Sequence, residues 1–139
     1  MKPGTRALGI AESTDENSGR CILCGAVVRV DRVVDGFAYA TATVGGLDAT
    51  DAVCELVDRL DREDIQSLLV SGVAPAWFNI LDLGRIADAA GRPVLSVSYE
   101  ESSGLEPALR EHFEDEALDS RLAVYERLPP RRRLRVNDE

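Results

Sequence analysis

Apolar and polar residues alternate along this chain with two different periods. From Gly36 to Val44 (GFAYATATV), Phe37, Tyr39, Thr41 and Thr43 alternate with Ala38, Ala40 and Ala42. Period two predicts a strand, and the all-alanine face predicts a helix lying close over it. Arg20 to Val30 is a longer apolar run and predicts a second strand, and Thr5 to Ala11 (TRALGIA) predicts a short buried one. Glu12 to Gly19 (ESTDENSG), between them, is polar and turn-rich and predicts a loop. These first three strands read as an antiparallel meander. Gly45-Gly46 then breaks the alternation.

The period now becomes helical. Ala49, Ala52, Val53, Leu56, Val57 and Leu60 fall on one face of a helix from Asp48 to about Leu60, with Asp48 as its N-cap. Ile65 to Val70 predicts a strand. Asn79 is placed to cap a helix running to Ala90, with Leu83, Ile86, Ala87 and Ala90 inward and Gly91 as the stop. Pro93 to Tyr99 predicts another strand. Helical patterns follow near Pro107 to Phe113 and Leu118 to Leu128, and Pro129-Pro130 ends the last. The tail RRRLRVNDE either starts an edge strand or trails off.

The order β-β-β-α-β-α-β-α-α predicts an α/β fold, a mixed sheet flanked by helices. Sites in such sheets form beyond the carboxyl ends of the parallel strands. Two positions qualify: Ala11-Glu12 after the first strand and Ser71-Gly72 after the fourth. The 139 residues are enough for one domain with a real core.

Charge changes the picture. Asp and Glu total 25 against 16 Lys and Arg, and Lys2 is the single lysine. Such an acidic, lysine-poor surface predicts a protein solvated in high salt, where a Debye length of about 3 Å at about 1 M screens self-repulsion. A genome rich in arginine codons is the plainer explanation. The net charge of −9 argues against avid nonspecific duplex binding, which draws most of its affinity from phosphate contacts. No apolar run is long enough for a membrane span and no secretory pattern opens the chain, so a cytoplasmic location is expected. Cys21 and Cys24 have half a zinc spacing, but they lie in a strand, where residues three apart face opposite ways. No metal site is expected from them.

Four strings carry a resemblance: Leu8-Gly9-Ile10-Ala11-Glu12, Gly46-Leu47-Asp48-Ala49-Thr50, Ser71-Gly72-Val73 through Phe78-Asn79 to Asp82, and Gly91-Arg92-Pro93-Val94. In this order and spacing they resemble the archaeal endonuclease V-like family known as domain of unknown function ninety-nine, in a haloarchaeal form. The resemblance implies a ribonuclease H-like fold and kinship with endonuclease V, which cuts nucleic acid near deaminated bases with a divalent metal. It also implies a domain over 1–139 that lacks the family's C-terminal strand and helix. Magnesium or manganese would be the cofactor of an active form, because hard cations take oxygen ligands.

The family pattern places Asp-Asp after Leu-Gly-Ile, and Asp-Gly where this chain has Ser71-Gly72. Ala11 cannot bind a metal, and Ser71 offers only a neutral hydroxyl. Glu12, Asp48 and Asp51 remain as substitute acids, although Asp48 and Asp51 equally suit the first turn of a helix. Trp77 and Phe78 could stack on a base or plug the end of the sheet, and Asn79 lies beside them. Arg131 and Arg132 could touch phosphate or remain a solvated segment. His112 reads as a partly buried helix-face residue.

The reading favoured is an endonuclease V-like protein, catalytically impaired, with no cofactor. It keeps a pocket for single-stranded or structured nucleic acid. The alternatives are an interaction module for an unknown protein partner, or a metal-dependent endonuclease using the substitute carboxylates.

Overall fold

The computed structural model describes residues 2–99 and 103–136. Five strands form one sheet in the order β3-β2-β1-β4-β5: β1 (Arg6–Asp15), β2 (Arg20–Arg29), β3 (Val34–Thr43), β4 (Ile65–Ser71) and β5 (Val94–Val97). β1 pairs antiparallel with β2, and β2 with β3, which makes the meander. β1 then pairs parallel with β4, and β4 with β5. The helices are α1 (Ala49–Leu60), the four-residue turn α2 (Pro75–Phe78), α3 (Leu83–Ala90), α4 (Glu106–His112) and α5 (Asp115–Glu126).

The alanine face of β3 does lie under α1. Ala38, Ala40 and Ala42 are buried, and so are Ala49, Ala52, Val53 and Leu56 on the helix. Gly25, which pairs with Ala38, is a second close approach: a methyl added there would meet Leu56 at 2.6 Å. Leu8, Ile10, Leu23, Val27, Leu68 and Val70 complete this face, and α3 adds Leu83 and Ile86 to the same core. A smaller core of Ile80, Leu109 and Leu122 joins α4 and α5 to the loop after β4.

Several boundaries differ from the sequence reading, β5 among them, which is Val94–Val97 and not Pro93–Tyr99. Glu12 to Asp15 continue β1, because their backbone pairs with Leu23 back to Arg20 although the side chains are polar. The Asp82 carboxylate, and not Asn79, accepts the Arg85 amide at the start of α3. α5 begins at Asp115, before the first apolar residue of its pattern. Of the two courses open to the tail, residues 131–136 take the one without a strand, and 137–139 lie outside the described residues.

Candidate functional site

β1 and β4 run side by side with Ile10 opposite Val70, so Ala11 and Ser71 follow on neighbouring strands. Ala11, Glu12 and Ser71 line one small cleft with Ile10, Val53, Pro75 and Leu81. Its volume of about 10 Å³ is at the lower limit for a single water. Alternation along β1 sets the directions. Leu8 and Ile10 are buried under α1, so Glu12 shares their face, while Ala11 and Ser71 fall on the other.

Glu12 is occupied. Its Oε2 accepts the Ala76 amide at 2.7 Å, the Thr14 hydroxyl at 2.7 Å and the Cys21 thiol at 3.3 Å. Burial pushes the Cys21 thiol up, with Glu12 adding to the rise and Thr14 opposing it. The Ala76 bond matters most for shape. Ala76, Trp77 and Phe78 have φ of 52°, 55° and 62°, three consecutive left-handed residues without a glycine. Each such residue costs about 1–2 kcal/mol, so the turn persists only because its surroundings hold it. Glu12 grips its first amide, and the Ala76 carbonyl accepts the Gly45 amide at 2.6 Å.

Asp48 occupies the N-cap position of α1, as the sequence predicts, but its side chain works as a latch. Its carboxylate makes no cap bond to α1. Oδ1 accepts the Thr43 amide at 3.0 Å and the Asn79 side-chain amide at 2.8 Å, and Oδ2 accepts the Thr43 hydroxyl at 2.9 Å. Burial alone would raise its pKa. The Thr43 amide, the Asn79 amide and the Thr43 hydroxyl outweigh it and hold the carboxyl below its ordinary range. Asn79 is fully buried and caps α1 from thirty residues away: its Oδ1 accepts the Ala49 amide at 2.9 Å, and its Nδ2 donates to the Thr43 carbonyl at 2.9 Å. Asp51 points elsewhere, to an ion pair with Arg85 of α3.

The two rings separate. Phe78 is partly buried in the smaller core, whereas Trp77 is 47% exposed. Trp77 lies edge-on to Phe78 and His112 and tilted against Phe113, with centroids at 5.4, 5.4 and 5.3 Å. His112 is exposed, not partly buried as its helical spacing implied. Trp77 also covers Gly45, where an added methyl would meet its ring at 3.0 Å. Arg131 donates to the Ser98 hydroxyl at 3.3 Å, and Ser98 follows Val97, the partner of Ser71. The arginine tail therefore passes the same end of the sheet. Arg132 is exposed on it.

Arg121 went unnoticed in the sequence. It is 4% exposed, donates to the carbonyls of Phe78, Ala117, Gly45 and Gly46, and lies 3.9 Å from the centroid of the Phe113 ring. Burial lowers its pKa. It ties the Gly45-Gly46 turn to the Trp77 loop. The available signal was its place one residue before Leu122 and three after Leu118, on the inner side of α5.

Magnesium demands near-octahedral oxygen coordination. Among the described residues no three His, Cys, Asp or Glu side chains converge to hold a metal. Both Asp48 oxygens are engaged by Thr43 and Asn79, and Ala11 and Ser71 bring only a methyl and a neutral hydroxyl to the cleft. The donors present do not fit the ion.

A β-meander followed by parallel βαβ strands, with a cleft where the β1–β4 pairing ends, is a ribonuclease H-like fold. Residues 3–139 match the family described as endonuclease dU, and the chain belongs to that family. It is 33% identical over 137 residues to a UPF0215 protein of Thermococcus kodakarensis, covering 94% of this chain and 69% of that one. A UPF0215 protein of Pyrobaculum calidifontis is 34% identical over 109 residues, 78% of this chain and 60% of that one. Among solved structures, a protein of unknown function from Archaeoglobus fulgidus superposes with a TM-score of 0.75 at 30% identity, over 86% of this chain and 67% of that one. Endonuclease V from Streptomyces avermitilis shares the fold, with a TM-score of 0.54 at 18% identity over 70% of this chain and 47% of that one. No helix among the described residues is long and apolar enough to cross a membrane.

Proposed function

We propose that this chain is an endonuclease V-like domain that holds nucleic acid at its strand ends without cutting it. One arrangement carries the reading. Glu12 through Oε2 and Asp48 through both oxygens, the acids on the α1 side of the site, are engaged by the loops they anchor, while Trp77 stays half exposed on the rim. Cleavage of a phosphodiester by this route needs carboxylates free for a cation. Here they serve the Ala76–Phe78 turn and the Thr43–Asp48 turn.

Stacking is open to every base and contributes about 1–3 kcal/mol per base. Trp77 offers that surface, and Arg131 and Arg132 add local positive charge on an otherwise acidic molecule. The family's description names deoxyuridine, and an endonuclease V from Ciona intestinalis has been solved on DNA containing inosine. Those names make single strands with a deaminated base the first ligands to try here.

The test pairs binding with cleavage. Single-stranded DNA and RNA carrying deoxyuridine or inosine are titrated with the chain, then incubated with Mg²⁺ or Mn²⁺. Binding without strand scission is expected, and Trp77→Ala should weaken it about 10- to 100-fold. Metal-dependent scission that disappears in Glu12→Gln or Asp48→Asn overturns the reading and restores the nuclease. The net charge of −9 favours the second reading, a protein-interaction module. That reading wins if no strand binds at any salt concentration.

A further inference from the structure

The chain has one tryptophan and one histidine, and the fold brings them together at its surface. Trp77 comes from the turn after β4 and is half exposed, and His112 ends α4, exposed beside it. Their ring centroids lie 5.4 Å apart with the planes at 62°, so the two rings make an open corner. The corner is held from several sides. Phe113 packs against Trp77 at 5.3 Å, and the Arg121 guanidinium stands 3.9 Å from the centroid of Phe113. Phe78 supports His112 at 5.5 Å, and α4 is anchored through the fully buried Leu109.

We propose that this corner seats one unpaired base, stacked on the Trp77 indole with its edge set against the His112 imidazole. This rests on the proposed function and adds His112 to it, as the residue that separates an unpaired base from a paired one. The ring angle supports the pose. A base lying parallel to Trp77 meets the His112 plane at the same 62°, close to the edge-to-face arrangement that aromatic rings prefer. Charge decides which part of a strand belongs here. Glu111, Glu114, Asp115 and Glu116 are exposed around His112, while Arg110 is tied to Glu106. Those four carboxylates repel a phosphate, whereas a base is planar and uncharged. A base inside a duplex is stacked on both faces and paired at its edge, so it offers the corner neither surface.

The chain is titrated with a short single strand carrying 2-aminopurine, whose emission falls when it stacks. His112→Ala should weaken binding about fivefold, and His112→Phe, which keeps a ring at the wall, should stay within about twofold of the unaltered chain. The loss in His112→Ala should be equal at about 0.1 M and about 1 M KCl, because a base contact releases no counterions. Annealing the strand to its complement should abolish the difference between the unaltered chain and both variants. Since His112 is exposed, the urea midpoint of His112→Ala should match that of the unaltered chain.

A loss in His112→Ala that vanishes at high salt would make the residue a phosphate contact and overturns the proposal. So does an equal loss on the duplex, or a loss in His112→Phe as large as that in His112→Ala. Full affinity in His112→Ala overturns it as well, and if Trp77→Ala still weakens binding, the proposed function stands without the corner. If no strand binds at any salt concentration, the corner and the proposed function fall together.

Discussion

Asn79 has no apolar surface to offer the core, yet it is completely buried between the start of α1 and the end of β3. Its amide satisfies the Ala49 N–H, the Thr43 carbonyl and one oxygen of Asp48. Removing it leaves those groups unpaired in a dry site, where each orphan costs about 1–3 kcal/mol. Asn79→Ala should therefore destabilise the fold by about 3 kcal/mol in urea titration, far above a surface change. Asp48 gives a matching pH prediction. Its pKa is depressed in the fold, so its contribution is fully present above the ordinary value of 3.8 and is lost as pH falls through the lower folded value. The stability difference between wild type and Asp48→Asn should be constant near neutrality and shrink below about pH 3.8. A difference that stays flat down to pH 2.5 would show that the latch is not ionic. Both residues were legible in the sequence as cap chemistry, but as caps of the wrong groups. A cap pattern states that a side chain accepts a backbone N–H. It cannot say which amide, when the acceptor comes from thirty residues away.

At the scale of elements, the Ala76–Phe78 turn is the least expected piece. Left-handed backbone is signalled in sequence by Gly or Asn, and neither stands at these three positions. Tertiary bonds supply what local preference withholds: Glu12 holds the Ala76 amide, and Gly45 donates to the Ala76 carbonyl. Glu12→Ala should free the turn, and amide exchange at Ala76 and Trp77 should accelerate while β1 and β4 keep their protection. Equal acceleration throughout the sheet would mean that Glu12 supports the core instead. Gly45→Ala attacks the same turn from below. Gly45 has a φ of 69°, and the new methyl would meet the Trp77 ring at 3.0 Å. A loss of about 1–2 kcal/mol is expected, with a change in the emission of the chain's one tryptophan. The α1–β3 contact, by contrast, was readable because alanine at every second position of a strand has one geometric meaning. The extra length of β1 was hidden, because Glu12 to Asp15 pair through backbone while presenting polar side chains.

Across the whole molecule, the mixed sheet followed from element order, since a meander followed by helical crossovers leaves few right-handed arrangements, while the order β3-β2-β1-β4-β5 came only with the structure. The exposure of Phe37 and Tyr39 on the face turned away from α1 did not follow, because alternation reveals that a strand has two sides and not what lies against each. Charge is the remaining global property, and its sign of effect can be worked out. The ion pairs of the described residues, such as Arg6–Asp35, Arg62–Asp64 and Arg127–Asp82, are partly or largely exposed, and exposed pairs contribute about 0–1 kcal/mol each. Salt weakens them. Salt also weakens the mutual repulsion of a chain with nine surplus negative charges, which acts over the whole compact state and is relaxed when the chain expands. Raising KCl from about 0.1 M to about 1 M shortens the Debye length from about 10 Å to about 3 Å, well inside the spacing of most surface charges but comparable to an ion-pair contact. Repulsion is therefore screened more completely than attraction. The urea midpoint, measured with an uncharged denaturant so that ionic strength is varied alone, should rise with KCl. A midpoint that falls over the same range would mean that the arginine pairs outweigh the acidic excess, and an adaptation to salt would then have no basis in this surface.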